Sequence, residues 1–339
     1  MSFNLSESLK FCSHILPRVS RSFALSINIL KAELRQSVMT AYLLCRIVDT
    51  VEDLEKSFDI EKKAALIDLF LKIFEDEKYL QSFKTEMSLV KISKEHDRLL
   101  VLNAHHVFRV YTSLLLKTKR EIKKWVTEMA LGMKSFILKY PNGIRIKTQV
   151  EYNKYCYYVA GTVGHLLTQL WFIYSPCIGK KIYSELKKLS EAFGQALQTT
   201  NILKDVYWDI KEENAIFIPE EILKRHGLKS NEDILKDKNS DAFKKVMNTM
   251  IQNALYNLKL SQEYIKLIPR SCPNIRLFCL LPYFLAIATL MKIKKESRIE
   301  NCDIPIKLTR RELKKIRLLS LPAIYSNTWL SFYSNVLSQ

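Results

Sequence analysis

Glycine is scarce: seven among 339 residues, beside nine prolines. That shortage excludes a glycine-rich nucleotide-binding turn and a turn-dense β-sandwich, both of which need glycine at tight bends. Cysteine is present in an odd number, seven, and no two are spaced as CxxC. Neither a disulfide framework nor a cysteine zinc site is expected, and a reducing, cytoplasmic setting follows. The six histidines are scattered, and the adjacent His105 and His106 face different sides of a helix. The longest apolar run, Leu277–Met291, is about 15 residues with Pro282 inside it. That is short of the roughly 20 needed to span a bilayer, so it reads as a buried helix. The first residues, Met-Ser-Phe-Asn-Leu-Ser-Glu, lack the basic-then-apolar order of a signal peptide. Acidic residues are also in short supply, 35 against 53 Lys and Arg, a net charge of +18. Such an excess suits nucleic acid, an anionic membrane surface or an anionic substrate. The Lys-rich stretches Lys117–Lys124 and Lys307–Lys315 come with no nucleic-acid-binding motif, so no nucleic-acid partner is expected.

What is present is helical. Hydrophobic residues make up 48% of the chain, enough for a large core. The apolar positions recur at helical spacing. They place helices near 5–15, 31–56, 60–75, 95–138, 148–174, 182–210, 218–225, 240–267, 274–295 and 308–335. Breaks are expected at Pro17, Pro141-Asn142-Gly143, Ser175-Pro176, Pro219, Pro269–Pro273 and Cys302–Pro305. No repeat or low-complexity linker interrupts them, so the expectation is all-α, one domain over residues 1–339.

Two segments carry chemistry. Tyr42, Arg46, Asp49 and Asp53 fall at i, i+4, i+7 and i+11, one stripe of a helix, with Glu52 alongside. Ala41, Leu43, Leu44, Ile47 and Val48 bury the same helix, so the stripe is expected to face a cavity. Two carboxylates at i, i+4 repel, and a divalent cation relieves that repulsion. An ordinary acidic helix end is the plainer reading of this segment taken alone. Gln198, Asn201, Asp205 and Asp209 form a second polar stripe among Leu197, Ile202, Leu203, Val206 and Trp208. Facing each other, the stripes would hold metal ions with a diphosphate between them, and Arg21, Arg46 and Lys204 would balance its charge. The remaining allylic cation needs a dry pocket lined by aromatic faces, and the chain has 16 Phe and 16 Tyr to supply them.

Two further segments are apolar. Tyr155-Cys-Tyr-Tyr-Val-Ala-Gly161-Thr-Val-Gly164 puts glycine inside a helical pattern, for close approach of another helix or of a prenyl chain. Arg276–Leu290 reads as a buried helix kinked at Pro282.

At these residues the chain resembles the squalene/phytoene synthase family. Ser20-Arg21-Ser22-Phe23-Ala24 is similar to its N-terminal signature, and Asp49–Asp53 and Asn201–Asp209 to its two aspartate motifs. Tyr155–Gly164 resembles its YCxYVAGxVG segment. Order and spacing agree from about Phe11 to Arg310. Phe278-Cys279, Pro282 and Ala286–Leu290 resemble the squalene synthase branch, and Ile306-Lys307-Leu308 with Arg310 resembles a basic segment near NADPH.

The resemblance implies an isoprenoid synthase helical bundle. Two farnesyl diphosphates would be joined head to head to presqualene diphosphate, which NADPH would reduce to squalene. A non-reducing relative making dehydrosqualene, presqualene diphosphate or phytoene is the alternative. Magnesium, or manganese, would sit on Asp49, Glu52, Asp53, Asp205 and Asp209. Tyr155, Phe278, Tyr42 and Arg46 are the candidate catalytic residues. Ser20, Arg21, Phe23, Gln198, Asn201 and Lys204 are the candidate substrate-binding residues. Lys307 and Arg310 are the candidates for NADPH. A monomer is expected, with peripheral membrane contact because substrate and product are greasy. Lys204 replaces an Arg of the family, Trp208 an acid, Ala215 an Arg and Thr309 a basic residue.

Overall fold

The computed structural model describes residues 4–54, 58–228, 233–234, 240–296 and 306–338; of Arg21, Ser22 and Glu296 only the backbone is described. Every named element among them is helical, and the β-structure is one isolated bridge, Arg145 with Ile216. The chain packs as two compact units, Met1–Pro141 with His165–Pro176, and Asn142–Gly164 with Cys177–Gln339.

The first unit contains α1 (Leu5–Val19), α2 (Arg21–Ile29), α3 (Ala32–Glu52), α4 (Ile60–Ile73), α5 (Tyr79–Ser88), α6 (Glu95–Leu102), α7 (Ala104–Ser113) and α8 (Leu116–Lys139). Helix α3 is its centre. It is buried on most of its surface, through Leu34, Val38, Leu43, Leu44, Ile47, Val48 and Val51, and packs against α1, α4, α6, α7 and α8. Beside it Phe70, Phe74, Phe83, Phe108 and Tyr111 form an aromatic cluster with edge-to-face and tilted pairs 5.1–6.2 Å apart.

The second unit is built on α11 (Lys180–Trp208), which packs along α13 (Asp241–Leu267) and α14 (Pro273–Glu296). Before α11 come α9 (Gln149–Cys156), a π-helical turn at Tyr157–Gly161 and α10 (Thr162–Tyr174), which runs on into the residues of the first unit. After α11 come a second π-helical turn at Asp209–Glu213 and α12 (Glu220–Arg225). The chain closes with α15 (Arg310–Ser320) and α16 (Asn327–Leu337).

Several expectations are corrected. Helix α1 continues through Pro17 to Val19. The proline sits near the end of the helix, where its missing N–H costs one bond. The expected helix 95–138 is three helices, and α2 and α5 were not expected at all. Cys177 and Cys272 are joined in a disulfide, where the cysteine count and spacing led to none being expected. Their 95-residue separation hides the pairing, which depends on spatial proximity of the two Cα atoms. The apolar run lies in the helix expected near 274–295, observed at Pro273–Glu296. Pro273–Lys295, 23 residues, is long and apolar enough by those measures to cross a membrane, yet just over half of it is buried within the protein. Phe278, Leu280, Phe284, Ile287 and Leu290 are all core residues.

Candidate active site

In the first unit, α3 carries the first stripe. Ser20 caps α2, its Oγ accepting from the N–H of Phe23 at 3.2 Å. It also shares a hydrogen bond with Tyr42, whose ring lies 5.7 Å from that of Phe23. Burial pushes the Tyr42 phenol up to about 12. The structure therefore brings Ser20, Phe23 and Tyr42 together; the side chain of Arg21 lies outside the described residues.

One turn on, Arg46 donates to both carboxylate oxygens of Asp97, Nε to Oδ1 at 3.1 Å and Nη2 to Oδ2 at 2.6 Å. Asp97 is on α6 and buried. Arg46 Nη1 also lies 3.9 Å from Asp49. Burial alone would lower the pKa of Arg46, but the bonds to Asp97 and the charges of Asp49 and Asp53 raise it instead. The opposite happens to Asp49. Burial, together with the charges of Asp53 and Asp97, outweighs the attraction of Arg46 and pushes its carboxyl up to about 7. Asp53 is the C-cap residue of α3. Lys63, buried on α4, donates to the carbonyls of Glu52 at 3.1 Å and Leu54 at 2.6 Å. It closes the end of a helix whose last turn is acidic, the end at which the helix dipole disfavours acids.

In the second unit, α11 carries the second stripe. Lys204 pairs with Asp205 at 3.1 Å and reaches Asn201 Oδ1 at 3.5 Å. Gln198 and Asp205 are half-buried, Asn201 is exposed, and Asp209 is buried at the start of the π-helical turn. That turn ends at Asn214, which is left-handed (φ +51°), and is closed by Ala215 N–H donating to Asp209 O at 2.9 Å. Helix α9 is fixed on α11 by Tyr152, whose hydroxyl donates to Thr199 at 2.8 Å. Gly164 and Gly194 bring the segment after α9 equally close to α11: a Cβ on Gly164, in the first turn of α10, would overlap the Ser190 carbonyl of α11, and one on Gly194 of α11 the Ala160 carbonyl of the π-helical turn. Of the two uses open to Gly161 and Gly164, close helix packing is the one Gly164 serves; a Cβ on Gly161 would press on Glu191 and Tyr157. Tyr155 is buried and stacks on Phe217, centroids 4.8 Å apart.

Phe278 is fully buried on α14. Lys307 and Arg310 are exposed at the start of α15, and the carbonyl of Lys307 accepts from Lys292 at 2.9 Å. Thr309 is the N-cap of α15, in a capping box with Glu312. Among the described residues, no three His, Cys, Asp or Glu side chains are grouped to hold a metal ion by themselves. An Asp pair of this kind relies on phosphate oxygens and water for the remaining ligands.

The stripes were readable because each repeats at helical spacing. Asp97 and Lys63 were missed. Asp97 lies in Glu95-His96-Asp97 and Lys63 in Lys62-Lys63, short polar runs at helix starts like many others. Thr309-Arg-Arg-Glu312 was a readable capping signal.

A squalene/phytoene synthase family model matches residues 16–312. The chain is 31% identical over 283 residues to squalene synthase 1 of Arabidopsis thaliana, covering 83% of this chain and 64% of that protein. It is 30% identical over 325 residues to squalene synthase of Mus musculus, covering 95% of this chain and 72% of that one. The chain thus spans about two thirds of the length of these relatives. Among solved structures, TcSQS in complex with the ligand BPH1237 superposes with a TM-score of 0.80 at 28% identity, covering 98% of this chain and 91% of that chain. A dehydrosqualene synthase in complex with a ligand superposes at 0.62 with 19% identity, covering 97% and 98%, which is a likeness of fold.

Proposed function

This chain belongs to the squalene/phytoene synthase family, a family of prenyltransferases of isoprenoid and lipid metabolism, and we propose that it joins two farnesyl diphosphates head to head into presqualene diphosphate and reduces that product to squalene with NADPH. The observation that carries this reading is the pair of acidic stripes, Asp49–Asp53 on α3 and Asp205–Asp209 at the end of α11, each beside one half-buried cation, Arg46 or Lys204.

Magnesium fits these donors. A carboxyl pushed up to about 7 by burial and like-charged neighbours gains from a divalent cation; Asp49, Glu52 and Asp53 on α3, and Asp205 and Asp209 at the end of α11, are the carboxylates that would hold such ions. When bound, the metal supplies positive charge against the negative charge that grows on the departing diphosphate. The residues of the chain do the rest. Arg46, fixed by Asp97, and Lys204, with Ser20, Arg21, Gln198 and Asn201, orient the phosphates. Phe23 and Tyr42 close the site against water. The C1 cation of one farnesyl group is attacked by the double bond of the other, and Tyr155 removes through its phenolic oxygen the proton whose loss closes the cyclopropane ring. The aromatic face of Phe278 stabilises the cation of the second ionisation. NADPH would supply the hydride for the reduction when bound, and the exposed Lys307 and Arg310 have the charge to pair with the dinucleotide phosphates.

A non-reducing outcome, in which presqualene diphosphate, dehydrosqualene or phytoene is released, is the second reading. Thr309, occupied as a cap, adds no cation to the dinucleotide segment. Peripheral attachment of a monomer to a membrane completes the proposal, since farnesyl chains and squalene partition into lipid. Products from farnesyl diphosphate and magnesium, with and without NADPH, test it. Squalene that forms only with NADPH supports the full reaction. Rate and product both indifferent to NADPH overturn the reductive step. Diphosphate release that survives Asp49→Ala overturns the site.

A further inference from the structure

We propose that Arg145 is a diphosphate-binding residue, its guanidinium held at the Asn214 turn so that one fork remains open to a phosphate. The inference rests on the reaction proposed above and adds a residue to its binding site.

The position is built by main-chain pairing. Ile216 N–H donates to Ile144 O at 2.8 Å and Ile146 N–H to Ile216 O at 3.2 Å, forming the isolated bridge. Arg145 Nη1 donates to the carbonyls of Ile144 and Asn214, and Nη2 donates to Asn214 Oδ1. All three acceptors are neutral. A guanidinium has five N–H donors. Three are used here, leaving Nε–H and the second Nη2–H, two donors on one edge that match a phosphate bidentately. Arg145 itself is only half-buried.

Among the described residues, no carboxylate pairs with this cation. Three acids of the flanking segments are taken by other groups. Glu220 holds Lys147 and Lys224, Glu221 accepts from the Gln149 N–H, and Glu151 accepts from the Lys147 N–H. Burial consequently lowers the pKa of Arg145, with no acid opposing the shift. A half-buried positive charge satisfied by carbonyls alone gains from an external anion.

The support is rigid. Asn214 is left-handed at φ +51° and its Nδ2 donates to Asn142 O at 2.7 Å. Gly143 is also left-handed, at φ +97°, and any Cβ there would overlap Asn214. The same turn leaves Asp209, whose carbonyl accepts from Ala215 N–H at 2.9 Å. The guanidinium is thereby tied to the end of the Asp205–Asp209 stripe. A diphosphate drawn to metal on those carboxylates carries more negative charge than the metal alone cancels, and Arg145 is placed to offset it.

Calorimetric titration of the full chain with inorganic pyrophosphate and magnesium tests this. Arg145→Gln keeps donors for Asn214 and loses the charge. It is expected to weaken pyrophosphate about tenfold or more and to raise KM for farnesyl diphosphate more than it lowers kcat, with the melting temperature near wild type. Arg145→Lys, which keeps charge without the fork, is expected in between. Should Arg145→Gln fail to fold, Asn214→Asp serves instead, because a carboxylate there occupies the guanidinium in place. Wild-type affinity in the folded variant overturns the assignment. Absence of pyrophosphate binding by the wild-type chain overturns the underlying site as well, so the two failures are distinguishable.

Discussion

Asp49 holds a charge that its surroundings oppose. Its folded pKa of about 7 lies above its ordinary value of 3.8. The folded protein therefore binds this proton more tightly than the unfolded chain. The stability it contributes is fully present below about pH 4 and is lost as pH rises through 7. In the presence of a chelator, thermal melts should show higher stability at pH 5 than at pH 8. Asp49→Asn should flatten that difference, and magnesium should restore stability to the wild type at pH 8. Asp97 is the partner without which Arg46 is a half-buried cation facing the acids alone. Asp97→Asn is expected to cost about 2 kcal/mol in urea unfolding, the scale of a charged hydrogen bond broken with burial. At this scale, residues that share a helix stripe were legible, because periodicity is written along the chain. Asp97 was not, because its partner lies 51 positions away and only the packing of α6 on α3 joins them.

The helices themselves were largely legible, and the failures have physical causes. Helix α2 is nine residues long and starts at a serine cap directly after α1, so its pattern reads as a tail of its neighbour. The expected single helix at 95–138 contains turns at Asn103 and Leu114 that no glycine or proline marks. The glycines of the second unit were ambiguous in sequence and decided in space. Gly164→Ala and Gly194→Ala should each destabilise by about 1–3 kcal/mol, since a methyl group must displace the facing main chain. A control, Gly179→Ala, has open space around it and should be close to neutral. Denaturant midpoints of the three variants check this. If the two packing variants also slow diphosphate release, the packing of the π-helical turn and the start of α10 on α11 sets the position of Tyr155 as well as the stability of the unit.

For the molecule as a whole, composition foretold the all-helical architecture: with seven glycines and 48% hydrophobic residues, long helices with short connections are the economical way to bury so much apolar surface. Composition did not foretell the bridge between Cys177 and Cys272, because an odd count without CxxC gives no pairing. A loop of this size, closed covalently, should contribute up to about 4 kcal/mol by restricting the unfolded chain. Cys272→Ser, or a reductant, is expected to lower the melting temperature of the wild-type chain, and the reductant should lower that of the Cys272→Ser variant no further; differential scanning calorimetry reads both. Cys12, Cys45, Cys156 and Cys279 are buried as free thiols and stay out of that exchange.

Lys63 extends the reach of the acidic site beyond the residues that form it. Its ammonium fastens the last carbonyls of α3. With methionine there, the final turn would unwind and Asp53 would drift out of register with Asp49. In a random mutagenesis screen for inactive enzyme, a hit at position 63 would then be mistaken for damage to the aspartates, and a catalytic map drawn from such hits would come out one helix too wide.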